Sequence, residues 1–318
     1  MFETVAFQQL DHITLNFNER GIALLNIALA FIMFGVALGM QQSHFTRLIK
    51  APKPILIGLV SQYIFLPILT LGLVFVLGLP PSISLGMILV SACPGGNISN
   101  YISYLAGANA ALSVTLTATS DLLSIFMTPL IFSTLGNLYL GSVPLANPID
   151  IPFLEVFKSI LLITAIPIGA GFLFKRLFPI LSLRILRPLK ISSFILFIGF
   201  VLGAIVLNYE HFTTSVWLLL PIVILHNSFA LLTGYLVSGL FGLKAQIQRT
   251  ITIETGIQNS GIALALIFNH HIFPTGMGGA ALIAALWGIW HIISGLSLGL
   301  WWSSKATKLK DTTYSQAL

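Results

Sequence analysis

CPGGNISN at residues 93–100 and ETGIQNSG at residues 254–261 each fall in the middle of a long apolar run. Pro94 removes a backbone donor, and Gly95-Gly96 weaken a helix further. The second stretch puts Glu254, Gln258, Asn259 and Ser260 beside Gly256 and Gly261. Backbone groups freed by such breaks must be buried in protein or face a polar cavity when the surroundings are hydrocarbon. Ordinary Pro/Gly kinks are the plain alternative, but polar clusters this dense are too costly in a bilayer to be idle.

The surroundings are hydrocarbon because composition leaves no other choice. Of 318 residues, 56% are hydrophobic and 8% charged, against roughly 25% charged in soluble domains. Mean hydropathy is +0.97. A water-soluble globule is excluded, and the net charge of +6 rests on too few basic residues to suggest a nucleic-acid partner. One cysteine, Cys93, rules out an internal disulfide and any multi-cysteine metal site. The early Glu3, Asp11, Glu19 and Arg20 argue against a signal peptide.

A crossing helix needs about 20 apolar residues. Nine stretches qualify: 22–40, 54–78, 83–106, 110–135, 152–174, 191–208, 214–241, 250–269 and 278–301. The short connections between them predict one all-α integral membrane domain over 1–318. With the N-terminus outside, the inner connections hold Arg47, Lys50, Lys53, Lys175, Arg176, Arg184, Arg187, Lys190, Lys244, Arg249, Lys305, Lys308 and Lys310, leaving Arg20 and Lys158 outside. That is the positive-inside pattern. It predicts a multi-pass protein of the cell (inner) membrane with a cytoplasmic C-terminus.

The two interrupted spans are the third in the chain and the second from last. If repeat one (about 22–135) lacks its first helix and repeat two (about 152–301) has five, both breaks are fourth in their unit. An odd unit makes the repeats inverted, and interrupted helices at matching places in inverted repeats mark the binding site of a secondary transporter. Polar residues also interrupt the span before each break, Gln62 in SQYIFL and His226-Asn227 in LHNSFA.

At these residues the chain resembles the bile acid:sodium symporter family. CPGGNISN and ETGIQNSG resemble the breaks of its two crossing helices, and LAGANAALSVTLTATS at 105–120, GLVSQYIFLP at 58–67 and WHIISG at 290–295 also match. The resemblance covers nearly the whole chain from about residue 22. It implies two sodium sites, one from Ser99, Asn100, Ser113, Thr117 and Glu254, the other from Gln62, Glu254, Gln258 and the carbonyls of Thr255 and Ile257. It places Asn97 and Asn259 at half-helix ends, as donors to a substrate carboxylate. His291, in WHIISG, is a further substrate-side candidate, with a buried structural histidine as the alternative. All the proposed ion ligands offer oxygen, which hard cations prefer. Na+ is then the coupling ion and no cofactor is expected.

Two sodium ions, Glu254 and one monovalent organic anion sum to zero, so a loaded carrier would switch while a partly loaded one would be hindered. The function expected is sodium-coupled symport of an organic anion, bile acid-like or a small carboxylate, by alternating access. Proton coupling through Glu254 or Asp121 is the second carrier reading. Asp121 follows Ser113 and Thr117 at i+4 spacing and so shares their helix face, a candidate extra proton or cation position. An enzyme is not expected: no HExxH and no paired membrane aspartates occur.

Overall fold

A computed structural model describes residues 19–41, 46, 49–50, 52–144, 150–273 and 277–315. Residues 1–18 and Arg47, which entered the orientation argument, lie outside them. The described residues form helices joined by short links: α1 Glu19–Gly39, α2 Pro52–Leu77, α3 Pro81–Ala92, α4 Ile98–Leu105, α5 Ala110–Leu140, α6 Phe153–Leu177, α7 Pro179–Leu207, α8 Tyr209–Leu240, α9 Ala245–Gly256, α10 Ser260–Ile267 and α11 Gly278–Ser315. Six of these, namely α1, α2, α5, α6, α8 and the Gly278–Ser304 part of α11, are long and apolar enough to cross a membrane.

Both expected breaks are present, after Ala92 and after Gly256. Three helices run beyond the expected limits. α5 continues to Leu140 and α11 to Ser315. α7 begins at Pro179, so Arg184 and Arg187 lie on a helix and not in a connection. Pro179 suits a first helical position, and Arg and Lys are good helix formers.

Two π turns interrupt otherwise regular helices, at Ser61–Phe65 in α2 and Leu161–Ala165 in α6. Each precedes a proline, Pro67 or Pro167, by two residues. The Leu66 and Ile166 amides donate to Ser61 and Leu161, five residues back. Widening the turn relieves the ring's clash with the carbonyl one turn earlier.

The helices pack in two groups. α1 lies against α6 and α7, while α8 lies against α9, and α11 against α3, α8 and α10. Small residues permit the closest approaches, the usual device where lipid offers no hydrophobic driving force. A side chain at Gly234 of α8 would come within 2.7 Å of the Ile251 carbonyl and the Thr252 Cα on α9. At Gly86 of α3 it would come within 2.8 Å of Ala280 Cα on α11.

Gly234→Ala is therefore expected to push α8 off α9 and lower the thermal transition of the detergent-purified protein by the equivalent of about 1–3 kcal/mol. Gly169→Ala, where nothing lies within 4 Å, is the control and should change little. Equal transitions for the two variants would contradict the packing described.

Candidate ion and substrate site

The two breaks meet. Beyond Ala92 the chain is extended at Cys93, and beyond Gly256 it is extended at Ile257. The extended residues run antiparallel, pairing Gly95 with Gln258. The Gly96 amide donates to the Ile257 carbonyl at 2.7 Å, and the Asn259 amide donates to the Pro94 carbonyl at 2.8 Å. Each break thus supplies partners that the other lost. Side chains meet further carbonyls at the two breaks. Thr128 on α5 donates to Ala92 at 2.7 Å, and Asn227 on α8 donates to Gly256 at 2.8 Å while accepting from Ser294 at 2.6 Å. Asn259 also caps α10 by accepting from the Ile262 amide.

Glu254 lies one turn before the second break and is 2% exposed. Ser99 donates to its Oε1 at 2.7 Å, Ser113 donates to the same oxygen, and the Thr117 hydroxyl lies 3.0 Å from Oε2. Thr117 also reaches Asn100 Oδ1 at 3.3 Å. These are the five side chains expected to share one site, and they come together from α4, α5 and α9. Charge-assisted hydrogen bonds of this kind are about twice as strong as neutral ones.

The second expected set also converges. Gln62, on the π turn of α2, lies 3.5 Å from Gln258 Oε1. Gln258 donates to the Thr255 carbonyl at 2.9 Å, and the Ile257 carbonyl is the one engaged by Gly96. Gly95 sits between the sets: a methyl there would lie 3.0 Å from Glu254 Oε2, 3.6 Å from Gln62 Nε2 and 3.6 Å from Ser120 Oγ. Glycine at this place lets the carboxylate approach the backbone.

A cavity of about 1110 Å³ opens beside the crossing. Its walls come from both helix groups, including Leu29 and Val36 of α1 and Ile191 and Ile198 of α7 on one side. The crossing supplies Asn97, Asn100, Thr117, Gln258 and Asn259 at the polar end, and α11 supplies His291. His291 is buried in this wall, beside the main chain of Trp287 one turn earlier. His226 is buried elsewhere, its Nε2 2.8 Å from Thr70 Oγ1 and its ring beside Trp287.

Sequence reasoning missed two participants. Ser61 bonds Thr255 at 3.0 Å, and Ser120 Oγ accepts from the Gly95 amide at 3.3 Å. Each neighbours a candidate, Ser61 before Gln62 and Ser120 one turn after Thr117, and that proximity was the available signal. Gly295, Ser297 and Gly299 have the Gly-x-Ser-x-Gly spacing of a hydrolase elbow. They lie inside unbroken α11, where the glycines face Ile102 and, for Gly295, Ile257, and a strand-to-helix turn is what that chemistry requires.

Crossed, broken membrane helices around a buried carboxylate, beside a cavity walled by two helix groups, define a membrane transporter of the ion-dependent class. The model of the Sodium Bile acid symporter family matches residues 26–215. The uncharacterized sodium-dependent transporter YocS of Bacillus subtilis is 35% identical over 294 residues, covering 92% of this chain and 87% of that protein. The probable sodium/metabolite cotransporter BASS1, chloroplastic, of Arabidopsis thaliana is 31% identical, covering 90% of this chain and 68% of that protein. The chain belongs to the sodium bile acid symporter family. Its relatives are sodium-dependent or sodium/metabolite transporters by name, so family membership places this chain among transporters and not among enzymes.

Thr117→Val keeps the side chain's shape and removes the hydroxyl beside Glu254. The expected loss is about 1–3 kcal/mol of stability, as for a hydrogen bond to a charged group, read as a lower thermal transition in sodium-free detergent solution. An unchanged transition would mean that the hydroxyl does not support the carboxylate.

Proposed function

We propose that the protein is a symporter that couples sodium entry to uptake of a monovalent organic anion by alternating access. The observation that carries this reading is the hydroxyl-ringed Glu254 at the crossing of two broken helices, with the cavity immediately beside it. Ser99, Asn100, Ser113, Thr117 and Glu254 would hold one sodium ion. Gln62, Glu254, Gln258 and the carbonyls of Thr255 and Ile257 would hold the second. Each set is rich in oxygen, and Glu254 offsets one of the two charges.

The substrate carboxylate would sit at the polar end of the cavity, where α4 and α10 begin. Half-helix N-termini favour anions there, and Asn97, Asn259 and His291, which line the cavity, would be the donors. The remaining wall is mostly apolar, which suits an organic body. The protein would lie in the bacterial inner membrane with its N-terminus outside and C-terminus inside. Nine spans in two inverted repeats, about 22–135 and 152–301, would place the cavity mouth on the cytoplasmic side. Gly39, Met40, Tyr101 and Ile191 are among the residues that line the cavity, and under that topology they would lie toward the cytoplasmic side. Rocking of α1, α6 and α7 against the crossing group would then expose the site to the other face.

A thermal-shift screen of organic anions tests this. Sodium alone should raise the transition of the parent protein, and a true substrate should raise it further only when sodium is present, because the sites are linked. Glu254→Gln should abolish the sodium effect. Asn97→Ala and Asn259→Ala should keep it while weakening the substrate by roughly 1–3 kcal/mol each. A normal sodium shift in Glu254→Gln would refute the assignment of the ion sites.

A further inference from the structure

Ser260, Gly261 and Leu264 of α10 line the cavity, and the helix then leads away from it with all eight of its residues buried. α10 packs against α1 and α6, which belong to the other helix group. Its far end is finished by Asn269. The Asn269 carbonyl accepts the amides of Ile272 at 2.9 Å and Phe273 at 3.0 Å, and its Oδ1 accepts the His271 amide at 2.9 Å. These bonds fold 269–273 into a compact turn in which Ile272 and Phe273 are buried. Phe273 stacks on Phe132 of α5, with ring centroids 5.6 Å apart. That leaves the Asn269 Nδ2, which donates to Ser159 Oγ on α6 at 2.7 Å.

This bond differs from those at the crossing in two respects. It joins the two helix groups, whereas the crossing bonds stay inside one. It also lies at a rim. Val156, Ile160 and Ile163 share the helix face of Ser159 and are buried, so Ser159 is on the packed side of α6. Lys158 next to it and His270 and His271 next to Asn269 are nevertheless exposed. Water can therefore replace either partner when the pair separates, while a crossing bond broken in mid-membrane would leave its groups bare. A hydrogen bond with that exchange available shifts an equilibrium by roughly two- to tenfold. That is enough to bias one of two states and too little to forbid the other.

We propose that Asn269 and Ser159 form a latch between the two helix groups: the bond holds the turn after α10 against α6 and keeps this end of the carrier closed, and it parts when the site opens toward that end. The stacked Phe273 and Phe132 anchor the turn to α5, which Thr128 ties to the crossing, so α6 is the partner that leaves. The latch rests on the alternating-access reading given above, and it adds to that reading a named contact that must break in each cycle.

The test places one reporter thiol on the cavity wall, Ala285→Cys, in a full-length Cys93→Ala background. An impermeant maleimide is applied to intact cells or to inside-out membrane vesicles, and the labelling rate from each face follows the population open to it. Under the proposed topology, intact cells present the Asn269 end. Ser159→Ala removes the acceptor, leaves the Asn269 turn whole and keeps a good helix former. It should raise the rate from the Asn269 end by roughly two- to tenfold, and Ser159→Thr, which keeps the hydroxyl, should stay near the parent. A second form carries Ser159→Cys with Asn269→Cys, and is oxidised in parallel with the reporter alone. The formed disulfide should stop labelling from the Asn269 end and spare it from the other. A disulfide that blocks labelling, together with a parent-like rate in Ser159→Ala, would overturn the latch and leave alternating access standing. Labelling from the Asn269 end at the parent's rate through the formed disulfide would refute the separation of the groups, and the alternating-access reading with it.

Discussion

The structure depends on one exchange of hydrogen bonds in the middle of the membrane. Two helices stop there, and each stop frees amides and carbonyls that lipid cannot satisfy. Gly96 gives its hydrogen to Ile257, and Asn259 gives its hydrogen to Pro94. Neither break is tenable without the other, so the two must coincide in space. That requirement brings α3 and α4 against α9 and α10, and it fixes the depth at which polar chemistry occurs. Thr128 and Asn227 add two more bonds from helices outside the crossing.

The coincidence has a chemical consequence. Residues distant in sequence, such as Ser99, Ser113 and Glu254, share one carboxylate because the breaks they flank are joined. The same joint places Gly95 and Gln258 next to Gln62. Ion ligands held by both broken helices would tie the arrangement of one to the other, which is what a carrier requires if ion occupancy is to control movement. The cavity is lined by the crossing and by α1 and α7, so under the proposed alternating access, motion of one group against the other would change access while the crossing stays whole.

The breaks were legible because proline, paired glycines and clustered amides are conspicuous in apolar surroundings. The residues around Glu254 were legible through the family resemblance and their i+4 spacing. The π turns were not read from the sequence, since a widened turn leaves no compositional mark beyond Pro67 or Pro167, and proline alone fits a kink equally well. The start of α7 was missed because charged residues were taken to end a span, although Arg184 and Arg187 extend a helix past the hydrocarbon without penalty. Asp121 was visible as an oddity on the right face. Its lack of hydrogen-bond partners was not, because that depends on where Ser120, Ser124 and Tyr63 turn their hydroxyls.

The central claim is that sodium is held at this crossing, against Glu254. Diffraction from crystals grown with thallous ion in place of sodium tests it most directly, because the heavier cation gives an anomalous signal that locates it. The account predicts density touching the Glu254 carboxylate, within ligand distance of Ser99, Ser113 or Thr117. Density confined to other parts of the protein, with the Glu254 hydroxyl ring intact and empty, would contradict it.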